Sequence, residues 1–369
     1  MNPVNNYLRR IFSLLVLAFI ITQVSYAQFN LKQYEYVMPR PTSISINETD
    51  RFVLDSAFSI SFEGIASEKL VAAVNNFYRR LLEKTCIKSG EVKYKGEKIY
   101  GAKFTINSGT EAPAVHGMDE SYKLSTGSSG IELTANTDIG AMRGLETILQ
   151  LVYPRNGEFI IDALRIEDSP RFPWRGLMMD VCRHFLPVEA MKRNIDGMAA
   201  MKLNVFHWHL SEDQGFRVEC KTFPKLHELG SDGNYFTHEE IKDIIKYAND
   251  RGIRVVPEFD IPGHSTAWFA GYPEYASAPG PYEIERHYGV FDPTFDPTNE
   301  KTYEFFDLFF KEMSELFNDE YIHIGGDENN GKQWDSNRQI QEFMKTNNLK
   351  SNHELQAYFN KRIQKILEK

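Results

Sequence analysis

Between Arg171 and Lys369 one pattern recurs four times: a short apolar run, then a stretch with helical spacing. The runs are Gly176 to Val181, Leu203 to Leu210, Ile253 to Pro257 and Tyr321 to Ile324. After the first, Val188, Met191, Ile195, Met198 and Met201 fall on one helical face. After the second, Thr237-His238-Glu239-Glu240 forms a capping box, because Thr and Glu three apart satisfy each other's backbone donors. The helix it opens carries Ile241, Ile244, Ile245 and Ala248 and stops at Gly252. Glu300 to Phe317 and the stretch from Leu355 to Ile366 complete the series. Alternating strands and helices imply a parallel sheet.

An open doubly wound sheet and a barrel both satisfy this alternation. The open sheet expects a glycine-rich phosphate turn after its first strand, and none is present. The barrel expects functional residues at the carboxyl end of every strand. Strand one runs into Asp180, Arg183 and His184; strand two into His209, Glu212 and Asp213. Strand three runs into Glu258, Asp260 and His264; strand four into Gly325-Gly326-Asp327-Glu328. A closed barrel takes eight such units. The expectation is a (β/α)8 TIM barrel of which residues 170–369 hold the first four units. Cut there, the barrel is expected to expose sheet edges and to be inactive alone, insoluble, or rescued by dimerisation.

Residues 28–169 read as a small α/β domain. Phe58 to Phe62, Lys103 to Ile106 and Gly130 to Thr134 suit strands. Leu70, Val74, Phe77 and Leu81 have helical spacing, and Gly140 to Val152 reads as a second helix. No cluster of acids, histidines or nucleophiles stands out there, so a supporting role is expected. Pro170-Arg171-Phe172-Pro173 is the linker.

Residues 1–27 read as a signal peptide. Arg9 and Arg10 precede an apolar run from Ile11 to Val24, and Ser25-Tyr26-Ala27 suits cleavage. The run is shorter than the ~20 residues that span a bilayer. A secreted or periplasmic protein without a membrane span after cleavage is expected. Lys+Arg 42 against Asp+Glu 51, with no basic tract, argues against a nucleic-acid partner. The three cysteines, Cys86, Cys182 and Cys220, fit no zinc spacing and are expected as buried free thiols.

The rim residues suggest chemistry. Asp327-Glu328 behind two glycines suits a paired-carboxylate site or a solvated acidic loop. Glycosidic hydrolysis needs an acid for the leaving oxygen and a group that stabilises the anomeric cation. Arg183 offers a planar fork for sugar hydroxyls, or a structural ion pair. His207 and His209 share a strand face, which suits hydrogen-bonded packing or a metal site.

Four segments, quoted in order, carry a resemblance. They are Pro170 to Phe185 (PRFPWRGLMMDVCRHF), Lys202 to Leu210 (KLNVFHWHL), Pro257 to His264 (PEFDIPGH) and His323 to Glu328 (HIGGDE). Together they resemble family 20 glycoside hydrolases, the β-N-acetylhexosaminidases. Glu120-Ser121-Tyr122 and Gly130 to Leu151 resemble the small domain that precedes the family's barrel. The resemblance implies an exo-acting enzyme that removes terminal β-linked GlcNAc or GalNAc with retention. Its substrate's acetamido oxygen attacks the anomeric carbon and gives an oxazolinium intermediate. Glu328 would be the acid and then the base, and Asp327 would orient the acetamido nitrogen. Arg183 would hold hydroxyls of the terminal sugar, His264 would support the acid or a sugar hydroxyl, and Glu212 would join them in binding substrate. The segment Ser211-Glu212-Asp213 departs from the paired aspartates of many members. The resemblance implies no cofactor and no metal, and N-acetylhexosamine-containing glycans as partners. A metal-dependent barrel hydrolase using His207 and His209, and an inert sugar-binding remnant, are the alternatives.

Overall fold

The computed structural model describes residues 33–87, 96, 98–99 and 101–369. The signal-peptide segment lies outside the described residues. No helix among those described is long and apolar enough to cross a membrane.

The first half is built on one sheet. Its strands are β1 (Ser43–Leu54), β2 (Ile60–Gly64), β3 (Phe104–Thr110), β4 (Tyr122–Gly127), β5 (Gly130–Thr137), β6 (Tyr153–Arg155) and β7 (Glu158–Asp168). The order is β1-β7-β4-β5-β3-β2, with β6 on β7. Helices α1 (Glu68–Thr85) and α2 (Asp138–Leu151) pack together, and α2 also packs against β3, β4 and β5. The helical spacing read in the sequence is the buried face of α1: Leu70, Val74, Phe77 and Leu81. They meet Phe104, Ile106 and Leu133 from the sheet in one apolar cluster. Ser67 caps α1 by accepting from the Leu70 amide.

The second half places three parallel strands side by side: β8 (Gly176–Asp180), β9 (Val205–His209) and β12 (Arg254–Glu258), in the order β12-β9-β8. A small hairpin, β10 (Ser211–Glu212) and β11 (Gly215–Phe216), intervenes. The helices are α3 (Val188–Ala200), α4 (Lys225–Gly230), α5 (His238–Asn249), α6 (Thr266–Gly271), α7 (Glu300–Leu316), α8 (Lys332–Ser336), α9 (Arg338–Thr346) and α10 (Asn352–Leu367). The capping box at Thr237 and Glu240 forms with both of its bonds. A dense aromatic core joins the layers, with Phe259, Trp268, Phe306, Phe309 and Phe310 all buried.

The fourth strand is not a full strand. Tyr321–Ile324 meets β12 through a single parallel bridge, Glu258 to His323. The His323 amide donates to the Pro257 carbonyl (2.9 Å), and the Phe259 amide donates to the His323 carbonyl (3.0 Å). Gly325 (φ +59°) and Gly326 (φ +105°) then leave the extended region at once, which ends the ladder. The cysteine expectation also needs correction. All three are free, but only Cys182 and Cys220 are buried; Cys86 is exposed in the left-handed cap that ends α1.

The halves are joined by buried charge. Glu120 accepts from Arg143 of its own half (2.7 Å) and from Arg175 (2.6 Å) and Asn204 (3.0 Å) of the other. Arg143 also donates to the Arg251 and Gly252 carbonyls. Lys202 is buried at the same joint, bonded to Thr147 (2.5 Å) and Tyr122 (3.3 Å). Burial draws its ammonium pKa down to about 8.

Candidate active site

Parallel register sets the site. Asp180, His209, Glu258 and His323 stand opposite one another across four neighbouring segments. Parallel partners point to the same side of a sheet, so one row carries acid, imidazole, acid, imidazole. Barrel interiors are ordinarily filled by branched apolar side chains. A row of titratable groups marks this end as chemical.

Contacts continue from the row into the loops. Asp180 accepts from Arg183 Nη1 (2.8 Å). Arg183 Nη2 lies 2.9 Å from Glu212 Oε2. Glu212 is fully buried; its other oxygen lies 2.7 Å from His264 Nδ1 and accepts from the Asp213 amide (2.9 Å). His264 Nε2 lies 3.4 Å from Glu328 Oε2. A continuous line therefore runs Arg183, Glu212, His264, Glu328. Asp213 backs it, accepting from the Thr266 amide (2.9 Å) with its far oxygen 3.5 Å from His264.

The glycines preceding the acids are required by geometry. A Cβ on Gly325 would run into the Asp260 carboxyl. Asp260 in turn accepts the Gly326 amide (2.8 Å), which fixes the turn that presents Asp327 and Glu328. Both acids are exposed, Glu328 with 56 % of its side chain open to solvent.

The surrounding groups hold definite charges. Burial works against charge on Glu212, but His209 and His264 outweigh it and lower its pKa to about 2. Burial likewise opposes charge on His264, but Asp213 and Glu212 raise it to about 11. His209 is raised to about 10, its contacts with Glu212 and Glu258 outweighing burial. Asp260 goes the other way. Burial raises it to about 8, with the nearby Asp327 adding to the shift and the Gly326 amide opposing it.

The matches with known proteins fall on the same segments. The model of glycosyl hydrolase family 20, catalytic domain, matches residues 172–369, and a "beta-acetyl hexosaminidase like" model matches residues 37–151. The chain belongs to glycosyl hydrolase family 20. A β-hexosaminidase subunit beta of Rattus norvegicus is 36% identical over 367 residues, 96% of this chain and 68% of the relative. A β-hexosaminidase of Porphyromonas gingivalis is 38% identical over 291 residues, 74% of this chain and 37% of the relative. The solved chitobiase of Flavobacterium johnsoniae superposes with a TM-score of 0.88 at 44% identity, covering 92% of this chain and 52% of that one. This family 20 chain thus spans about half the length of most of the relatives it matches.

Of the sequence-derived site residues, the fold joins Arg183, Glu212, His264 and Glu328 in one line of contacts. It sets Asp327 beside Asp260 and His264, with one donor atom of each within 4.8 Å of the others. Asp180, Asp213, Glu258 and Asp260 were visible only as strand-end residues without a role. Their positions at the ends of consecutive strands were the available signal. His207 and His209 do not form a paired site of their own. His209 is buried with carboxylates at both nitrogens, Glu212 at 3.3 Å and Glu258 at 2.9 Å. Both of its ring nitrogens therefore face carboxylates rather than an open ligand position. His207 turns instead toward Glu258 (2.7 Å) and the ring of His323.

Proposed function

We propose that this protein is an exo-acting β-N-acetylhexosaminidase that works with retention through the acetamido group of its substrate. The line of contacts from Arg183 to Glu328 carries this reading. It ties a cation suited to sugar hydroxyls to a carboxylate suited to acid catalysis. Arg183 uses two amino groups on Asp180 and Glu212 and has further N–H groups to offer a terminal sugar.

In the proposed cycle, Asp327 accepts from the acetamido N–H and steers its oxygen onto the anomeric carbon. The C–O bond to the leaving group breaks as Glu328 delivers its proton to that oxygen. An oxazolinium ring results. Water then adds to the anomeric carbon, Glu328 takes its proton, and the ring opens with configuration retained. His264, clamped by Glu212 and Asp213, positions the Glu328 carboxyl. The substrate class is terminal β-linked GlcNAc or GalNAc; one family 20 relative, from Vibrio harveyi, is solved in complex with N-acetylglucosamine. The leader-like segment ending at Ala27 supports export to the periplasm or the medium.

The test is release of nitrophenol from p-nitrophenyl N-acetyl-β-glucosaminide, with Glu328→Gln as the control. Turnover lost in the variant supports the reading. Equal rates above background in the two proteins overturn it. Rates abolished by a strong chelator favour the metal-dependent alternative.

A further inference from the structure

Among the described residues, the reaction proposed above makes no use of a cluster of two histidines and a glutamate. His207 sits on β9, Glu258 ends β12, and His323 sits on the bridge segment, all on the inner side of the sheet. One donor atom from each lies within 4.8 Å of the other two. His207 Nε2 is 2.7 Å from one Glu258 oxygen, and His323 Nδ1 is 3.1 Å from the other. Donors around a tetrahedral ion with bonds of about 2.0–2.1 Å stand roughly 3.3 Å apart. The spacing is already close to that of a shell with two imidazoles and one carboxylate.

We propose that a divalent transition ion binds between His207, Glu258 and His323 and, by doing so, releases the turn that carries Asp327 and Glu328. The donor set favours Zn²⁺, Co²⁺ or Cu²⁺ over Mg²⁺ or Ca²⁺, which prefer oxygen shells. His207 Nε2 is buried and lacks an aligned hydrogen-bond partner, so its position invites a ligand. The His323 side chain is 51 % exposed, which gives an ion a way in.

The coupling follows from what the same atoms do without the ion. His323 Nδ1 accepts the Gly325 amide (3.0 Å), the first link of the carboxylate turn. An ion taking that lone pair breaks the link. Glu258 also lies 2.9 Å from His209, which leads to Glu212 and Arg183. An ion that draws Glu258 away loosens that end as well. The ion acts here as an antagonist of the arrangement rather than as a cofactor. Its effect on hydrolysis rests on the proposed function; its binding does not.

The experiment titrates Zn²⁺ into the chelator-stripped chain by calorimetry and repeats the titration with His207→Gln and His323→Gln. One ion per chain is expected, with affinity reduced about 10-fold or more in each variant. Circular dichroism checks that the variants fold. X-ray absorption on the wild-type chain is an independent readout, expected to show two imidazoles in the shell. Amide exchange at Gly325 should quicken about 5-fold when Zn²⁺ is added, because a hydrogen bond worth about 1 kcal/mol is lost. Absence of binding, binding unchanged in both variants, a Co²⁺ form with a thiolate absorption band, or unaltered exchange at Gly325 overturns the proposal. None of these readouts requires turnover.

Discussion

Replacing Glu212 by glutamine removes one buried charge and keeps the shape of the side chain. In the structure that carboxylate faces Arg183 at 2.9 Å, His264 at 2.7 Å and His209 at 3.3 Å. Its pKa is lowered from 4.5 to about 2. At 1.36 kcal/mol per unit, the native surroundings favour the ionised form by about 3 kcal/mol. The shifts of His209 and His264 describe the same contacts and are not added. A carboxylate with a lowered pKa stabilises the fold above its unfolded value and loses that contribution as pH falls through the folded one. Glu212→Gln should therefore cost about 3 kcal/mol at pH 7. The gap to the wild type should shrink to about 1 kcal/mol at pH 3, where the unfolded chain's carboxylate is already protonated while the folded one is still mostly ionised. Urea unfolding of both proteins at pH 7 and pH 3, followed by near-UV circular dichroism, measures the gap. A cost below about 0.5 kcal/mol at pH 7, or a gap that does not narrow with acid, refutes the reasoning.

Three other outcomes are expected. Asp327→Asn should lower kcat by about 10²–10³, since it removes one preorganised electrostatic partner, and steady-state rates on a nitrophenyl glycoside measure it. Gly325→Ala places a side chain at φ +59° and against the Asp260 carboxyl. It should cost about 1–2 kcal/mol for the backbone and about 1 kcal/mol for the lost Gly326 bond, read as a lower urea midpoint. Asp260, raised to about 8 in the fold, keeps a proton that the unfolded chain releases near 3.8. Wild-type stability should fall relative to Asp260→Asn as pH rises from 4 to 8, and thermal melts across that range report it.

Local pattern was enough for the longer helices. Leu70, Val74, Phe77 and Leu81 recur at helical spacing, and that spacing is the buried face. The Thr237 capping box announces α5 for the same reason: its partners are three residues apart. Tyr321 to Ile324 reads as a strand by composition, yet strand character depends on a ladder of bonds to a neighbour, and a single bridge to β12 holds it here. Helices α8 and α9 were not legible. They bury only Trp334, Ile340 and Met344, too few to set a period. Strand β1 was obscured by Asn47 to Asp50, where a bulge shifts its register against β7. The site divides along the same line. Asp327 and Glu328 announce themselves by adjacency. The Glu212–His264 contact joins residues 52 apart. Glu258 meets three imidazoles only because parallel strands align in one register, which no single segment encodes.

Glu120 bears on how far this chain can be taken apart. The family 20 catalytic match begins at residue 172, which invites treating what precedes it as a detachable module. Yet the guanidinium of Arg175 and the amide of Asn204 look to that one carboxylate from across the joint. A catalytic half moved onto a foreign scaffold would carry an orphaned cation on its underside and would need an acid supplied at the same point. Transplants that graft Glu120 with its surroundings should remain soluble, while those cut at the linker alone should not. The unit of engineering in this protein is the seam, and a boundary drawn between the two matched regions runs through it.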